Sequence, residues 1–139
     1  MLSIAAALLL LTAQTGPVAP RDAESSVVIT FETGASTGSV MVVLYDSEAA
    51  YEDGPPVAQA VVPASGPVVA RFGNLPAGEY AVKAFHDIDG DGRMNKNPFG
   101  MPVEPYAFSN NAVGNMGPAR WAAARFPVSG ETAQTISIR

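Results

Sequence analysis

Short runs of strand-forming residues, separated by residues that favour turns, constrain this chain more than any other feature. Its 139 residues include 12 Pro and 13 Gly, and turn signals recur every ~8–12 residues after residue 25. Apolar residues alternate with polar ones at Val27, Ile29 and Phe31, as expected of a half-buried strand, and no sustained helical period follows. This spacing predicts an all-β fold, and we expect an antiparallel β-sandwich of about seven strands.

The positions of the strands and loops follow from the same pattern. We predict strands at residues 25–32, 39–45, 57–62, 68–72, 79–85, 125–128 and 133–138, and one helical turn at 119–124. The 39–45 run is the most apolar, so it is expected to be central with both faces covered, whereas Pro63 marks 57–62 as an edge strand. Residues 46–56 are expected to form a loop with a helix-compatible start, and residues 86–118 one long irregular loop.

The N-terminus has the pattern of a targeting segment. Residues 4–11 read IAAALLLL, which is too short for a bilayer span of about 20 residues but has the length of a signal-peptide core. We therefore predict a signal peptide and the start of a linker at 1–20, linker at 21–25, and the β-sandwich domain at 26–139. The chain has no Cys to carry a lipid, so we expect an extracytoplasmic protein, periplasmic or secreted, without a membrane anchor.

Composition excludes several classes of function. The net charge is -5. Nucleic-acid binding and adsorption to anionic membranes both depend on basic residues, so we expect neither a nucleic acid nor an anionic membrane as a partner. The absence of Cys excludes disulfides, thiolate zinc sites, iron–sulfur clusters and cysteine nucleophiles. His86 is the only histidine, so a centre with several histidine ligands is excluded as well.

The sharpest chemical signal is an acidic loop after the predicted 79–85 strand. Asp87, Asp89 and Asp91 alternate and are followed by Gly92, so that a curled chain could direct three carboxylates at one cation. In calcium loops of this spacing, further oxygens come from the positions held here by the Arg93 carbonyl and the Asn95 side chain. Hard oxygen ligands favour calcium over zinc or copper. An Asp/Gly turn without an ion, or a site for magnesium, would also fit the pattern.

The last ligand of such a loop has to come from elsewhere. Pro98 occupies the position at which a helix–loop–helix site supplies a bidentate glutamate. Glu104 is the next carboxylate in the chain and lies between Pro102 and Pro105, which stiffen its segment. We therefore predict Glu104 as the closing ligand; the alternative is an exposed glutamate in a polar turn.

Four motifs resemble an uncharacterised bacterial extracytoplasmic family, domain of unknown function 2141. They are LPxGxYAV at 75–82, His86-Asp87 with the acidic loop, FGxPxExYxFSNN at 99–111, and GPxxWxxAxF at 117–126. The resemblance covers roughly residues 26–139, and it departs at Asn95, where the family more often has Asp. It implies an immunoglobulin-like or transthyretin-like sandwich after a signal peptide, and it implies no enzyme activity.

Aromatic and amide side chains in the long loop form a second candidate site. Tyr106, Asn110, Asn111 and Trp121 are residue types that suit a sugar or peptide ligand. Tyr106 and Phe108, however, have strand spacing, so these rings could instead hold the loop against the sandwich.

A hydrolase triad of His86, Asp87 and Ser109 has little support in the sequence. No GxSxG motif occurs, and adjacent residues such as His86 and Asp87 point to opposite faces of a strand. We expect His86 to be a hydrogen-bonded structural residue at one end of the core.

Together these patterns predict an exported, calcium-stabilised β-sandwich that acts as a binding or structural module, not an enzyme. Its ligand would be an unknown protein or carbohydrate. The alternatives are a small extracytoplasmic hydrolase that uses the bound metal ion, and a subunit or carrier that pairs an exposed sheet edge with another chain.

Overall fold

Eight strands and a few helical turns form the part of the chain that the computed structural model describes, residues 25–94, 98–99 and 104–139. The strands are β1 (Ser25–Thr33), β2 (Ser39–Tyr45), β3 (Ala58–Pro63), β4 (Val69–Leu75), β5 (Gly78–Asp87), β6 (Tyr106–Phe108), β7 (Phe126–Val128) and β8 (Glu131–Ile138). The helices are α1 (Glu48–Asp53) and α2 (Trp121–Ala124), with a 3-10 turn at Ser109–Asn111. The predicted signal peptide, residues 1–20, lies outside the described residues.

The strands form two sheets that face each other. One sheet has the order β4-β1-β8, the other β3-β2-β5-β6, and β7 pairs with the start of β5. The predicted all-β sandwich is confirmed, with eight strands where about seven were expected. The pairs are antiparallel except for β1 and β8, which run parallel from Ser26↔Glu131 to Thr33↔Ile138.

The main core lies between the two sheets. The predicted inner face of β1, which carries Val27, Ile29 and Phe31, is buried. Strand β2 is central, as predicted, because β3 and β5 flank it. The prediction that both faces of β2 are covered is only partly right. Val40, Val42 and Leu44 on the inner face are buried, while the outer residues are partly exposed. Strand β3 is an edge strand, also as predicted.

The outer face of the larger sheet carries a second, smaller apolar cluster. Helices α1 and α2 bring Tyr51 and Trp121 over the outward side chains of β5 and β6, and the ring centroids of these two residues are 5.9 Å apart. Ser47 starts α1 by accepting a hydrogen bond from the Ala50 N–H at 3.2 Å. In the described residues, both α-helices are too short to cross a membrane.

The predicted irregular loop at 86–118 contains more order than expected. Strand β5 extends to Asp87, so the first carboxylate of the acidic loop still belongs to the sheet. Strand β6 then pairs with β5 through Tyr106↔Phe85 and Phe108↔Lys83. The chain therefore leaves the larger sheet at Asp87 and returns to it at Tyr106, so both ends of the acidic excursion are fixed by the same strand.

Candidate metal centre

Four carboxylates converge where β5 ends. Asp87, Asp89, Asp91 and Glu104 each offer one oxygen atom, and these oxygens all lie within 4.8 Å of one another. Glu104 is supplied by the segment that returns to the sheet, and the three aspartates by the loop that leaves it. The structure thus brings together all the acidic residues that the sequence predicted as ligands.

Backbone hydrogen bonds curl the loop around its own carboxylates. Asp87 accepts the Gly92 N–H at 2.7 Å through Oδ2 and the Asp91 N–H at 3.2 Å through Oδ1. Asp91 in turn accepts the Arg93 N–H at 2.8 Å. Gly90 and Gly92 both have a positive φ, 72° and 77°, and glycine adopts this conformation without strain. The turn chemistry that the sequence indicated is therefore present.

Hydrogen bonds hold Glu104 and the residue after it against the end of β5. The Glu104 Oε2 accepts the Ile88 N–H at 2.7 Å, and the carbonyl of the next residue, Pro105, accepts the His86 N–H at 2.8 Å. Glu104 is buried, with only 7% of the residue exposed. The alternative of an exposed glutamate in a polar turn is therefore wrong.

The four acidic groups differ in their surroundings. Asp87 and Glu104 are buried, whereas Asp89 and Asp91 are exposed. The Arg93 N–H lowers the pKa of Asp91, but desolvation and the neighbouring carboxylates of Asp89 and Asp87 outweigh it, and the pKa rises above its usual value. The cluster thus has a buried inner side and a solvent-facing outer side, and its carboxylates repel one another.

The turn between β1 and β2 contacts His86, the residue that precedes the first aspartate of the cluster. His86 is fully buried, and its Nε2–H donates to the Thr37 carbonyl at 2.7 Å. Its Nδ1 is a buried atom that makes no hydrogen bond within the described part of the chain. His86 is therefore the hydrogen-bonded structural histidine that the sequence predicted, with one nitrogen left unsatisfied.

Comparison with known proteins identifies the family. The family model described as "Uncharacterized protein conserved in bacteria (DUF2141)" matches residues 29–137. The chain belongs to this family. Searches of curated proteins and of solved structures give no match.

Two predicted ligands of this DUF2141 protein are not part of the carboxylate cluster. Arg93 was predicted through its carbonyl; the structure places the residue in the loop, with its N–H on Asp91. Asn95 lies outside the described residues. Both remain predictions.

The second candidate site is brought together only in part. Tyr106 is half-exposed and Asn111 lies near it, and both line an open cavity of about 690 Å³ together with Glu104 and Arg139. Trp121 instead packs inward on Tyr51, as the alternative interpretation expected of the aromatic residues.

The two asparagines of that site make structural hydrogen bonds. Asn110 donates from Nδ2 to the carbonyls of Ala123 and Arg125 at 3.1 and 2.8 Å, and it accepts from Gln134 at 2.9 Å. Asn111 uses its side chain to bind the backbone of β8. Both amides therefore fasten the loop to the sandwich.

Ser109 also has a structural role. Its hydroxyl donates to the Ala124 carbonyl and accepts the Val82 N–H at 2.9 Å. These contacts join the 3-10 turn, α2 and β5 in the buried layer, and they occupy the hydroxyl that a triad would need.

Sequence reasoning missed one polar cluster of this DUF2141 protein. The Lys83 Nζ lies 4.3 Å from the ring centroid of Tyr51 and 5.0 Å from that of Tyr45, and it donates to the Tyr51 carbonyl. Burial lowers the pKa of Lys83, although nearby Glu52 opposes the shift. The signal that could have found the cluster is the position of Lys83, on the outward face of β5 between Ala81 and Phe85.

Proposed function

We propose that this DUF2141 protein is an exported β-sandwich module, stabilised by calcium, that acts in binding or in a structural role. The observation that carries the proposal is the approach of Glu104 to the aspartates of the loop. A solvated Asp/Gly turn accounts for the exposed carboxylates of Asp89 and Asp91, but it does not account for Asp87 and Glu104, which are buried beside them. The ligand would be a protein or a carbohydrate, as predicted.

The spacing of the oxygens suits calcium. Calcium–oxygen distances are about 2.3–2.6 Å, so two ligands on opposite sides of the ion are about 4.6–5.2 Å apart. The four carboxylate oxygens lie within 4.8 Å of one another and therefore fit into one such shell with little movement. Magnesium requires about 2.0–2.1 Å and near-ideal octahedral geometry, which a flexible set of loop carboxylates supplies less readily than the variable geometry that calcium accepts.

Charge supports a cation at the same place. Two of the four carboxylates, Asp87 and Glu104, are removed from water, and buried charges in proteins are paired or coordinate metal ions. No Lys or Arg forms an ion pair with Asp87 within the described residues, where the salt bridge found joins Arg139 to Glu32. A divalent cation would offset the mutual repulsion of the carboxylates.

The ion would connect the two ends of the excursion from the larger sheet. Asp87 is the last residue of β5, and Glu104 lies two residues before β6. Bridging them closes the chain between them into a loop anchored at its base. The effect of calcium should therefore be stability of the fold and of this loop, which is the property that a module working outside the cytoplasm needs.

Thermal melts test the proposal. If calcium is present at about 100 times its Kd, binding to the native state contributes about 2.7 kcal/mol, which raises the Tm of a domain of this size by roughly 10 °C. Melts in excess chelator and in millimolar calcium should differ by about this amount. Identical melts would refute the metal centre.

Glu104→Gln tests the closing ligand. The amide oxygen of Gln can still accept the Ile88 N–H, but the charge is lost, so the calcium affinity measured by calorimetry should fall at least tenfold, about 1.4 kcal/mol. Glu131→Gln is the matched control, since it makes the same charge change at an exposed position in β8. If Asp89→Asn abolishes binding while Glu104→Gln leaves it unchanged, the loop takes its last ligand from another residue.

A further inference from the structure

We propose that β3 pairs with β3 of a second copy of this chain, antiparallel and about a twofold axis at Ala60. The proposal is independent of calcium and rests on a contrast among the outer strands of the two sheets. Free sheet edges present unpaired backbone groups, and proteins usually protect them by covering, charge, bulges or short length. In the described residues, β3 is the outer strand that lacks such protection.

The edge at β8 is covered by a side chain. Asn111 donates from Nδ2 to the Thr135 carbonyl at 3.2 Å and accepts the Ser137 N–H at 2.8 Å through Oδ1. The amide thus binds one acceptor and one donor of the outward backbone of β8, as a neighbouring strand would. A second chain could not pair there without displacing the 3-10 turn.

The edges at β4 and β6 are protected in other ways. Strand β4 has an exposed charge at Arg71 and an irregular pairing with β1 between Ser25 and Val27. Strand β6 is only three residues long, and so is β7, which pairs with β5 alone. Charge, irregularity and short length each disfavour pairing with another chain.

Strand β3 has none of these features over most of its length. It has six residues, AQAVVP, in continuous register with β2. Val61 on its outward face is 60% exposed, and no charged residue occurs from residue 54 to 70. Pro63 removes one donor, but only at the end of the strand.

The pairing with β2 shows which backbone groups of β3 are free. The Ala64 N–H donates to the Gly38 carbonyl at 3.0 Å. In an antiparallel pair, every second residue directs its backbone groups to the same neighbour. Val62 and Ala60 lie two and four residues before Ala64 and therefore bind β2, whereas Gln59 and Val61 direct their backbone N–H and carbonyl groups outward. With Ala60 on the axis, Gln59 of each copy faces Val61 of the other.

This arrangement is self-complementary. Gln59 and Val61 each contribute one N–H and one carbonyl, so two copies form four hydrogen bonds and leave none of these groups unpaired. Pro63 takes no part. The twofold axis also brings the same short segment of both copies together, so that a charge on this strand would lie near the same charge of the other copy. The uncharged strand avoids that repulsion in a chain whose net charge is -5.

Sedimentation equilibrium of the purified protein tests for the dimer. The average mass should rise with concentration from that of one chain towards that of two. Val61→Lys should weaken association at least about tenfold, because a lysine on an edge strand disfavours pairing. Val113→Lys is the matched control, since Val113 is 86% exposed but lies in the loop after the 3-10 turn, and it should associate like the unchanged protein.

A cysteine pair tests the register. The chain has no Cys, so Ala60→Cys introduces one thiol. Cα atoms facing each other in a non-hydrogen-bonded antiparallel pair are about 4.5 Å apart, within the range for a disulfide. Val61→Cys is more exposed, but the two thiols would be offset by two residues along the strands and their Cα atoms would lie more than about 7 Å apart.

The expected result is a covalent dimer of the Ala60→Cys protein that forms at least about tenfold faster than that of Val61→Cys. A protein that remains monomeric at millimolar concentration would overturn the proposal. Equal association of the two Lys variants would overturn it too, because the contact would then lie elsewhere. Faster cross-linking of Val61→Cys would refute the pairing about Ala60.

Discussion

Gly38 lies against the backbone of Asp87, the residue that carries the first carboxylate of the acidic cluster. Its φ is 72°, and a Cβ atom at this position would be 1.9 Å from the Asp87 carbonyl oxygen. Real Cβ atoms do not approach so closely, so any other residue would displace the end of β5. Gly38, which is distant from Asp87 in sequence, therefore constrains the position of the end of β5, where the acidic loop begins.

We predict that Gly38→Ala is much more destabilising than Gly130→Ala. Gly130 has nearly the same φ, 70°, but an added Cβ would meet no atom within 4 Å. Gly130→Ala should therefore cost only the strain of the left-handed conformation, about 1–2 kcal/mol, while Gly38→Ala should cost at least about 2 kcal/mol more. Urea unfolding measures both. Equal losses would mean that the close approach to Asp87 does not constrain the fold.

The carboxylates of the centre were predictable, and this glycine was not. Alternating aspartates followed by glycine indicate a cation-binding loop from neighbouring residues alone, and Glu104 is the next acidic residue in the chain. The role of Gly38 depends on which strand end packs against it, and that is a long-range property. For the same reason, the sequence suggested a shared ligand surface for Tyr106 and Trp121, although the fold turns Trp121 inward.

At the scale of elements, α1 is joined to the rest of the molecule by Tyr51. Its hydroxyl donates to the Ala119 carbonyl at 2.6 Å, and its ring packs on Tyr45 and Trp121. Burial, with a smaller effect of Tyr45, raises the pKa of Tyr51 from 10.0 to about 12. The buried ring thus favours its neutral form in the folded protein.

This shift predicts a loss of stability at alkaline pH. The unfolded chain releases the Tyr51 proton near pH 10 and the folded protein near pH 12, so the contribution of Tyr51 is complete below pH 10 and declines up to pH 12. Tyr51→Phe should be about 1 kcal/mol less stable at neutral pH, because the hydrogen bond is lost. Its deficit should shrink between pH 10 and 12.

Unfolding of both proteins across this pH range gives the measurement. Tyr106→Phe is the control, since it removes the hydroxyl of a half-exposed ring and should change the neutral-pH stability by less than about 0.5 kcal/mol. A deficit of Tyr51→Phe that stays constant up to pH 12 would contradict the assigned shift.

Strand positions were easier to predict than strand partners. Alternation revealed β1, the apolar run revealed β2, and Pro63 marked β3 as an edge. None of these local signals identifies the neighbour of β1, and the parallel pairing with β8 joins segments from opposite ends of the domain. Strand β6 was hidden within an apparent loop, since three residues are too few for a visible alternation.

At the scale of the whole molecule, the structure describes the chain from residue 25 onward, apart from the gaps named above. We predict that the exported protein lacks residues 1 to about 20, because the apolar run at 4–11 has the length of a signal-peptide core. Intact-mass measurement of extracytoplasmic material should give the shortened chain. Soluble exported protein that still carries Met1 would show the prediction to be wrong.

The pairing of β1 with β8 also has a consequence for the time course of folding. A ribosome makes β1 about a hundred residues before β8, and until then β1 lacks one of its two neighbours and the core lacks Ile136 and Ile138. Contacts between such distant segments form slowly. The smaller sheet therefore cannot close before β8 has been synthesised, and under the proposed export this delay would favour the unfolded form of the polypeptide that a translocation channel accepts.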